Sequence, residues 1–367
     1  MKQNGFTFSQ YKYDIPSSIV VFLVALPLCL GIALASGAPA FGGIIAGIIG
    51  GIIIGYLSGS NISVSGPAAG LAVIVLSSIE RLGGYELFLA AVVLAGIIQF
   101  FFGILKAGLI GNFFPVSVIK GMLAAIGILL ILKQIPHIVG YDADYIGDVF
   151  FNQADGSNTF SEIAYALLDV QVGAIIISIV SLILLIVWEL PRLKKFVFFN
   201  MIPGSLIAVI LGVMMNEFIF NGNAALFLTS DHQVSIPIPG SFGDFLGQFT
   251  SPDFSNVLTT ETITVAFTLA IVGSLETLLS LGAADKLDQY KRTSPPNREL
   301  VAQGIGNTLS GLIGGLPITA VIVRTSAHAT AGARTQLSAD LHRLLRLLSR
   351  IFLADVLNRI PRESLAA

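Results

Sequence analysis

Two apolar stretches of this chain are interrupted where a membrane helix should run without a break. The first is Asn61-Ile-Ser-Val-Ser-Gly-Pro-Ala-Ala-Gly70, which opens onto Leu71–Leu76. The second is Gly314-Gly-Leu-Pro-Ile-Thr-Ala-Val-Ile-Val-Arg-Thr-Ser326, near the other end. Broken backbone at membrane depth leaves N–H and C=O groups unsatisfied, at a cost on the order of several kcal/mol each, unless it lines a cavity or packs inside protein. A matched pair of such breaks points to a transporter's midplane site. Two kinked or re-entrant helices without a ligand would carry the same pattern.

Composition places the breaks in a membrane. The chain is 54% hydrophobic and 11% charged, whereas soluble domains carry roughly 25% charged residues. Met1–Asp14 is polar and aromatic and shows no cleavable signal, so the first apolar segment is expected to stay in the mature protein. The single cysteine, Cys29, excludes an internal disulfide or a cysteine metal cluster, and its apolar setting reads as packing.

Apolar runs of membrane-spanning length fall near 15–36, 41–58, 86–105, 115–136, 170–190, 199–220, 258–283 and 298–316. Shorter helices follow the breaks near 66–80 and 323–332, and a last helix covers roughly 337–357. Segments 137–169 and 221–257 hold acidic residues and no Lys or Arg. Arg192, Lys194 and Lys195 crowd one loop, and Lys286, Lys291, Arg292 and Arg298 another. Cations collect on the cytoplasmic side, so the acidic loops face outward and the N-terminus lies inside. That count brings the two short helices in from opposite sides, as an inverted repeat requires. The glycines between Gly42 and Gly55 share one helix face and read as tight helix packing.

Ionisable residues inside the spans are few. Glu276 and Arg324 are the clearest, and such groups are by default candidates for a polar pathway; a structural ion pair between them is the competing reading. Glu217 and Glu261 sit near span ends, and Lys120 and Lys133 are expected to snorkel. A helix beginning inside the protein aims N–H groups and partial positive charge into a cavity, which makes two facing starts an anion site. Ser65, Gly66, Ala68 and Ala69 would surround one start, and Thr319, Val323, Arg324 and Thr325 the other. Arg324 adds a cation, and Glu276 would balance charge or take a proton. His137, His232, His328 and His342 lack metal-site spacing, no phosphate-loop ending is present, and no basic aromatic surface suggests nucleic acid. No metal, cofactor or enzymatic reaction is expected.

Several of these motifs together resemble one family. Leu26-Pro-Leu28, Gly37-Ala-Pro39, Ser65-Gly-Pro67, Gly273-Ser-Leu-Glu276, Asn297-Arg-Glu-Leu300, Gly304-Ile-Gly-Asn307, Gly314-Gly-Leu-Pro317 and Ala331-Gly-Ala-Arg-Thr335 are similar to the SulP (sulfate permease) inorganic anion transporters, over about residues 12–336. The resemblance implies an all-α polytopic membrane protein with an inverted-repeat transporter fold of the seven-plus-seven type, divided into core and gate. It places the broken segments before the third and tenth helices, with the anion between those helix starts. By position it implicates Leu28 and Ile32 on the first helix, Ala68 and Ala69 on the third, and Val323 and Arg324 on the tenth. Glu276 matches the family's acidic position on the eighth. Some sodium-coupled members look to have an acidic residue one turn later, where this chain has Ser280, so a proton or an exchanged ion is expected before sodium.

Family members continue through further helices, commonly into a STAS domain, so the second repeat is expected to be incomplete at Ala367. Residues 1–14 read as a cytoplasmic segment, 15–336 as the transporter domain and 337–367 as a basic amphipathic helix bearing Asp340, Arg343, Arg346 and Arg350. The expected function is secondary transport of a small inorganic anion, sulfate or bicarbonate before chloride, across an inner membrane. Its partners are that anion, a proton, the bilayer and a second copy of the chain as a homodimer. An inactive scaffold and a nucleobase permease of the same fold are the alternatives.

Overall fold

The structure, a computed structural model, describes residues 25, 28–113, 115–141, 158–193, 199, 204–223, 226–229, 232–233, 247–330, 359–362 and 364. The N-terminal segment and the basic helix expected over 337–357 lie outside these residues.

A first helix, α1, runs over 28–35. It is followed by α2 (Ala40–Ser58), α3 (Ala72–Leu82), α4 (Tyr85–Ile104), α5 (Val116–Ile138), α6 (Thr159–Ala166), α7 (Val172–Trp188), α8 (Gly204–Ile219), α9 (Thr260–Leu287), α10 (Pro296–Leu312) and α11 (Ile322–Thr330). Among the described residues α2, α4 and α9 are long and apolar enough to cross a membrane. The unanticipated helix is α6, within the acidic segment 137–169. Asn158 caps it by accepting from the Phe160 and Ser161 N–H groups, and the Ser161 hydroxyl returns the bond.

Both breaks begin as strands. β1 (Ser65–Pro67) and β2 (Ile318–Ala320) pair antiparallel, with Ser65 opposite Ala320, Gly66 opposite Thr319 and Pro67 opposite Ile318. The expected helix start at 66 is therefore displaced: β1 gives way to a tight turn over Ala69–Leu71, and α3 begins only at Ala72. Pairing supplies what a membrane interior cannot, because each break satisfies the other's backbone. The ladder continues outward through Val321 N–H to Val64 O (2.9 Å) and Ala68 N–H to Pro317 O (3.2 Å). Side chains close the open edge of β2. The Asn307 amide both accepts from Ile318 N–H (2.6 Å) and donates to Ile318 O (3.0 Å), while Thr277 Oγ1 accepts from Ala320 N–H (3.3 Å).

Glycines set how closely the supporting helices approach. A Cβ at Gly304 would lie 2.7 Å from Gly96 O, and one at Gly311 would lie 2.9 Å from Val93 N, so α4 and α10 meet backbone to backbone. The helix α2 widens to a π-type turn over Gly50–Ile54, and a Cβ at Gly50 would lie 2.7 Å from Ser65 O. That widening seats β1 against the helix. An apolar cluster including Ile32, Ala68, Leu71, Phe88 and Leu316 fills the space around the strands.

Candidate functional site

Strand alternation sends the side chains of Ser65 and Gly66 to opposite faces of the pair. Gly66 and Thr319 face each other across the ladder and share a face. On that face, Arg324 of α11 packs so tightly on Gly66 that a Cβ there would collide with Arg324 Nη1. Arg324 is 0% exposed, and its Nε, Nη1 and Nη2 have no hydrogen-bond partner. Glu276 of α9 approaches the other side of the break, where a Cβ at Gly70 would lie 2.8 Å from its Oε1. The Gly70 N–H and the Thr319 hydroxyl are the polar groups acting on that carboxylate. Oε2 of Glu276 and Oγ1 of Thr319 nonetheless lack a hydrogen-bond partner. Arg324 and Glu276 thus share the strand pair without making a salt bridge, and the ion-pair reading of them fails.

An unpaired guanidinium buried in protein is a costly arrangement, because the charge has lost water and gained no compensating anion. Nη1 and Nη2 lie against Gly66, where the missing side chain leaves room for the guanidinium. A guanidinium is a planar donor fork of the kind that pairs with two oxygens of an oxyanion.

The expected site residues divide into three groups. Arg324 and Thr319 come together on the Gly66 face, with Glu276 bordering it. Ile32 and Ala68 are buried in the apolar cluster beside the strands, with Ala69 packed against it, and Leu28 is half-buried. Ser65 and Thr325 are committed elsewhere. The Ser65 hydroxyl accepts from Gln303 Nε2 (3.1 Å), and Thr325 Oγ1 donates to Val321 O (2.8 Å) while accepting from Val64 N–H (3.1 Å). Val323 packs with Ile322 and Ala283. Ser280, one turn beyond Glu276, is 4% exposed. The Ala68 N–H donates to Pro317 O.

The polar residues that hold the pair in place were not anticipated. Asn307 Nδ2 donates to Gln99 Oε1 (2.6 Å), and Gln99 Nε2 lies 3.4 Å from Ser274 Oγ, forming a buried line from α10 through α4 to α9. A single amide inside the apolar run of α4 was the available signal. Lys133 corrects a second expectation. It does not snorkel, because its Nζ lies 3.1 Å from Glu162 Oε2 with both side chains 5% exposed, and the pair fastens α6 to α5. Glu217 and Glu261 are partly exposed and lie near Arg359 (3.9 Å) and Arg81 (3.8 Å).

Fold and site together define a multi-pass membrane protein in which two broken segments pair around a buried cation. The chain belongs to the sulfate permease family, whose model matches residues 11–367. It is 30% identical over 362 residues to YvdB of Bacillus subtilis, spanning 99% of this chain and 64% of that protein. It is 27% identical over 371 residues to the bicarbonate transporter BicA of Picosynechococcus, spanning 99% of this chain and 61% of that one. The chain therefore spans less than two thirds of these relatives' length. The transmembrane domain of a cyanobacterial BicA superposes with a TM-score of 0.66 at 24% identity, covering 98% of this chain and 87% of that domain. The murine Slc26a9 anion transporter in its inward-facing state gives 0.66 at 16% identity, covering 100% and 60%. These likenesses show the fold.

Proposed function

We propose that this chain is the membrane part of a secondary transporter that carries a small inorganic anion by alternating access, with sulfate and bicarbonate as the favoured cargoes and chloride as a third. The single observation that carries this reading is Arg324, fully buried with three unpartnered nitrogens against Gly66. An anionic occupant would satisfy both its donors and its charge. The names of the relatives, a bicarbonate transporter and a sodium-independent sulfate anion transporter of Bos taurus, support the same cargo class.

Glu276 is the proposed coupling residue. A carboxylate bordering an anion site opposes binding when ionised and favours it when protonated, so a proton travels with the anion. Ser280 beside it offers a hydroxyl and no second charge, which favours a proton or an exchanged anion over sodium. The chain lies in the inner membrane with its N-terminus inside. The Lys and Arg bias of the loops carries the orientation, and contacts between loops support their sorting to two sides. Asp253 N–H donates to Glu86 O (3.0 Å) among the loops expected outside, and Ser294 Oγ lies 2.9 Å from Ser60 Oγ among those expected inside.

The test is uptake of radiolabelled sulfate and bicarbonate into proteoliposomes under imposed pH and sodium gradients. Saturable uptake driven by the pH gradient and lost in Arg324→Ala is the expected result. Folded, monodisperse protein that takes up neither anion would overturn the reading.

A further inference from the structure

Behind the strand pair, on the face away from Arg324, lies a second buried carboxyl. Glu299 is 1% exposed in the first turn of α10, Gln303 one turn later is 0% exposed, and Ser65 is 4% exposed. Gln303 Nε2 donates to Glu299 Oε1 (2.8 Å) and to Ser65 Oγ (3.1 Å). Glu299 Oε2 and Gln303 Oε1 are both buried without a hydrogen-bond partner. We propose that Glu299 is a second proton-linked positioning residue, which takes its proton from the cytoplasmic side and sets anion affinity at Arg324 through its charge, with Gln303 and Ser65 fixing its place behind the strand pair. This deepens the transport reading and rests on it.

The hydrogen-bond chain supports two directions. With Glu299 ionised, the Gln303 amide donates to both neighbours, as observed. With a proton on Oε1, the amide turns over, and its carbonyl accepts from the Glu299 O–H and the Ser65 O–H. An amide's oxygen and nitrogen are nearly equal in shape, so the turn needs no repacking. Ser65 stays held in both states, and the buried charge is the difference between them.

A polar path leads from Glu299 toward the loops expected in the cytoplasm. The Ser58 hydroxyl faces Glu299 and accepts from Ser60 N–H (3.0 Å). Ser60 Oγ lies 2.9 Å from Ser294 Oγ, and the Ser294 hydroxyl lies 2.6 Å from Asp285 Oδ1. The charged groups acting on Glu299 are Asp285, from α9, and Arg298, on its own helix. The other helices packed on α10 add little charge: α2 carries none, and α4 carries only Glu86, exposed at its far end. Farther along α9, Glu276 belongs to the opposite face, and Lys286 follows Asp285.

Glu299 reaches Ser65 through one amide, and Ser65 adjoins Gly66, so its charge lies on the order of 10 Å from the guanidinium. At an effective dielectric of about 20, two unit charges at about that distance change an affinity on the order of tenfold. Protonating Glu299 removes the repulsion, so anion affinity rises as pH falls, and by reciprocity a bound anion draws a proton.

The experiment measures sulfate affinity of the full chain in detergent against pH, since sulfate keeps its charge while carboxyls titrate. Wild type, Glu299→Gln, Ser65→Ala and Glu276→Gln are compared, with far-ultraviolet circular dichroism to establish folding. The expected result is a pH-dependent affinity in wild type. Glu299→Gln keeps the tight affinity and loses a part of that dependence on the order of a hundredfold, the tenfold of a unit charge squared for divalent sulfate, while Glu276→Gln retains this part. Ser65→Ala leaves the Glu299 charge in place and keeps the pH dependence of wild type. A Glu299→Gln profile that overlays wild type overturns the inference and leaves the transport reading standing. Should Glu299→Gln not fold, a sulfate affinity in Glu276→Gln that does not change with pH overturns it alone. No binding of sulfate, bicarbonate or chloride by folded wild type would overturn the transport reading, and this inference with it.

Discussion

Adding one methyl group at Gly66 separates the anion reading from a purely structural account of Arg324. A Cβ at 66 collides with Arg324 Nη1, and the guanidinium is fully buried, so it cannot swing into solvent. To reach an ordinary van der Waals separation of about 3.5 Å, charge and strand must part by about 1.5 Å. A unit-charge pair stretched from about 4 to about 5.5 Å at an effective dielectric of about 20 falls from roughly 4 to roughly 3 kcal/mol. Gly66→Ala should therefore weaken a monovalent anion by about sevenfold and divalent sulfate by about fortyfold, a difference that only charge produces. The assay is isothermal titration of sulfate and chloride into purified protein. Gly121→Ala in α5, where a new methyl would meet nothing, is the control. Equal losses for the two anions, or affinities within twofold of the Gly121 variant, would refute the reasoning.

Removing either Lys133 or Glu162 alone leaves a buried charge and should cost about 3–5 kcal/mol, whereas replacing both by apolar residues of similar size recovers most of it; thermal melts of the three variants decide this. Gly304→Ala forces a methyl to 2.6 Å from Phe100 Cα and should cost about 1–3 kcal/mol by overpacking, read as a lowered Tm. Asn307→Leu strands both backbone groups of Ile318 and should cost about 1–3 kcal/mol for each, with sulfate affinity falling in parallel as the strand pair loosens. Burial raises the Asp288 carboxyl, but the Arg292 side chain (2.7 Å) and the Arg292 and Tyr290 N–H groups outweigh it and hold it below the usual carboxylate range. A lowered value means stability that is present above the unfolded-state value and lost as pH falls through the folded one, so Asp288→Asn should flatten the acid limb of the melting profile.

How far the sequence carries the fold depends on what kind of signal each element leaves. Hydropathy runs mark α2, α4, α7, α8 and α9 to within a few residues, because a bilayer demands length and apolarity and little else. The breaks are visible as Gly and Pro clusters, but what they form is not. Pairing of β1 with β2 joins residues some 250 positions apart in the chain, and no local pattern announces a three-residue strand whose partner lies that far away. The same distance hid the roles of Gln303 and Asn307, which read as isolated polar residues on a helix until Ser65 and Ile318 arrive beside them. Arg324 and Glu276 were legible because a charge in a span is costly wherever the chain goes. Ser65 and Thr325 left their partners open because a hydroxyl near a break suits a ligand, a side chain and a backbone group equally well; Gln303, Val321 and Val64 stand beside them. Lys133 shows the converse. Its partner Glu162 sits in an acidic loop segment that gave no sign of folding back as α6.

The account stands on Arg324 receiving the anion, and titrating sulfate, bicarbonate and chloride into wild type and Arg324→Gln tests that most directly. The glutamine keeps hydrogen-bonding capacity and removes the charge. With roughly 4 kcal/mol at stake for a unit charge about 4 Å from the guanidinium, the variant should bind on the order of a thousandfold more weakly, and sulfate should suffer more than chloride. Affinities unchanged in folded Arg324→Gln would contradict the account, and would make the buried guanidinium a structural feature of the strand pair alone.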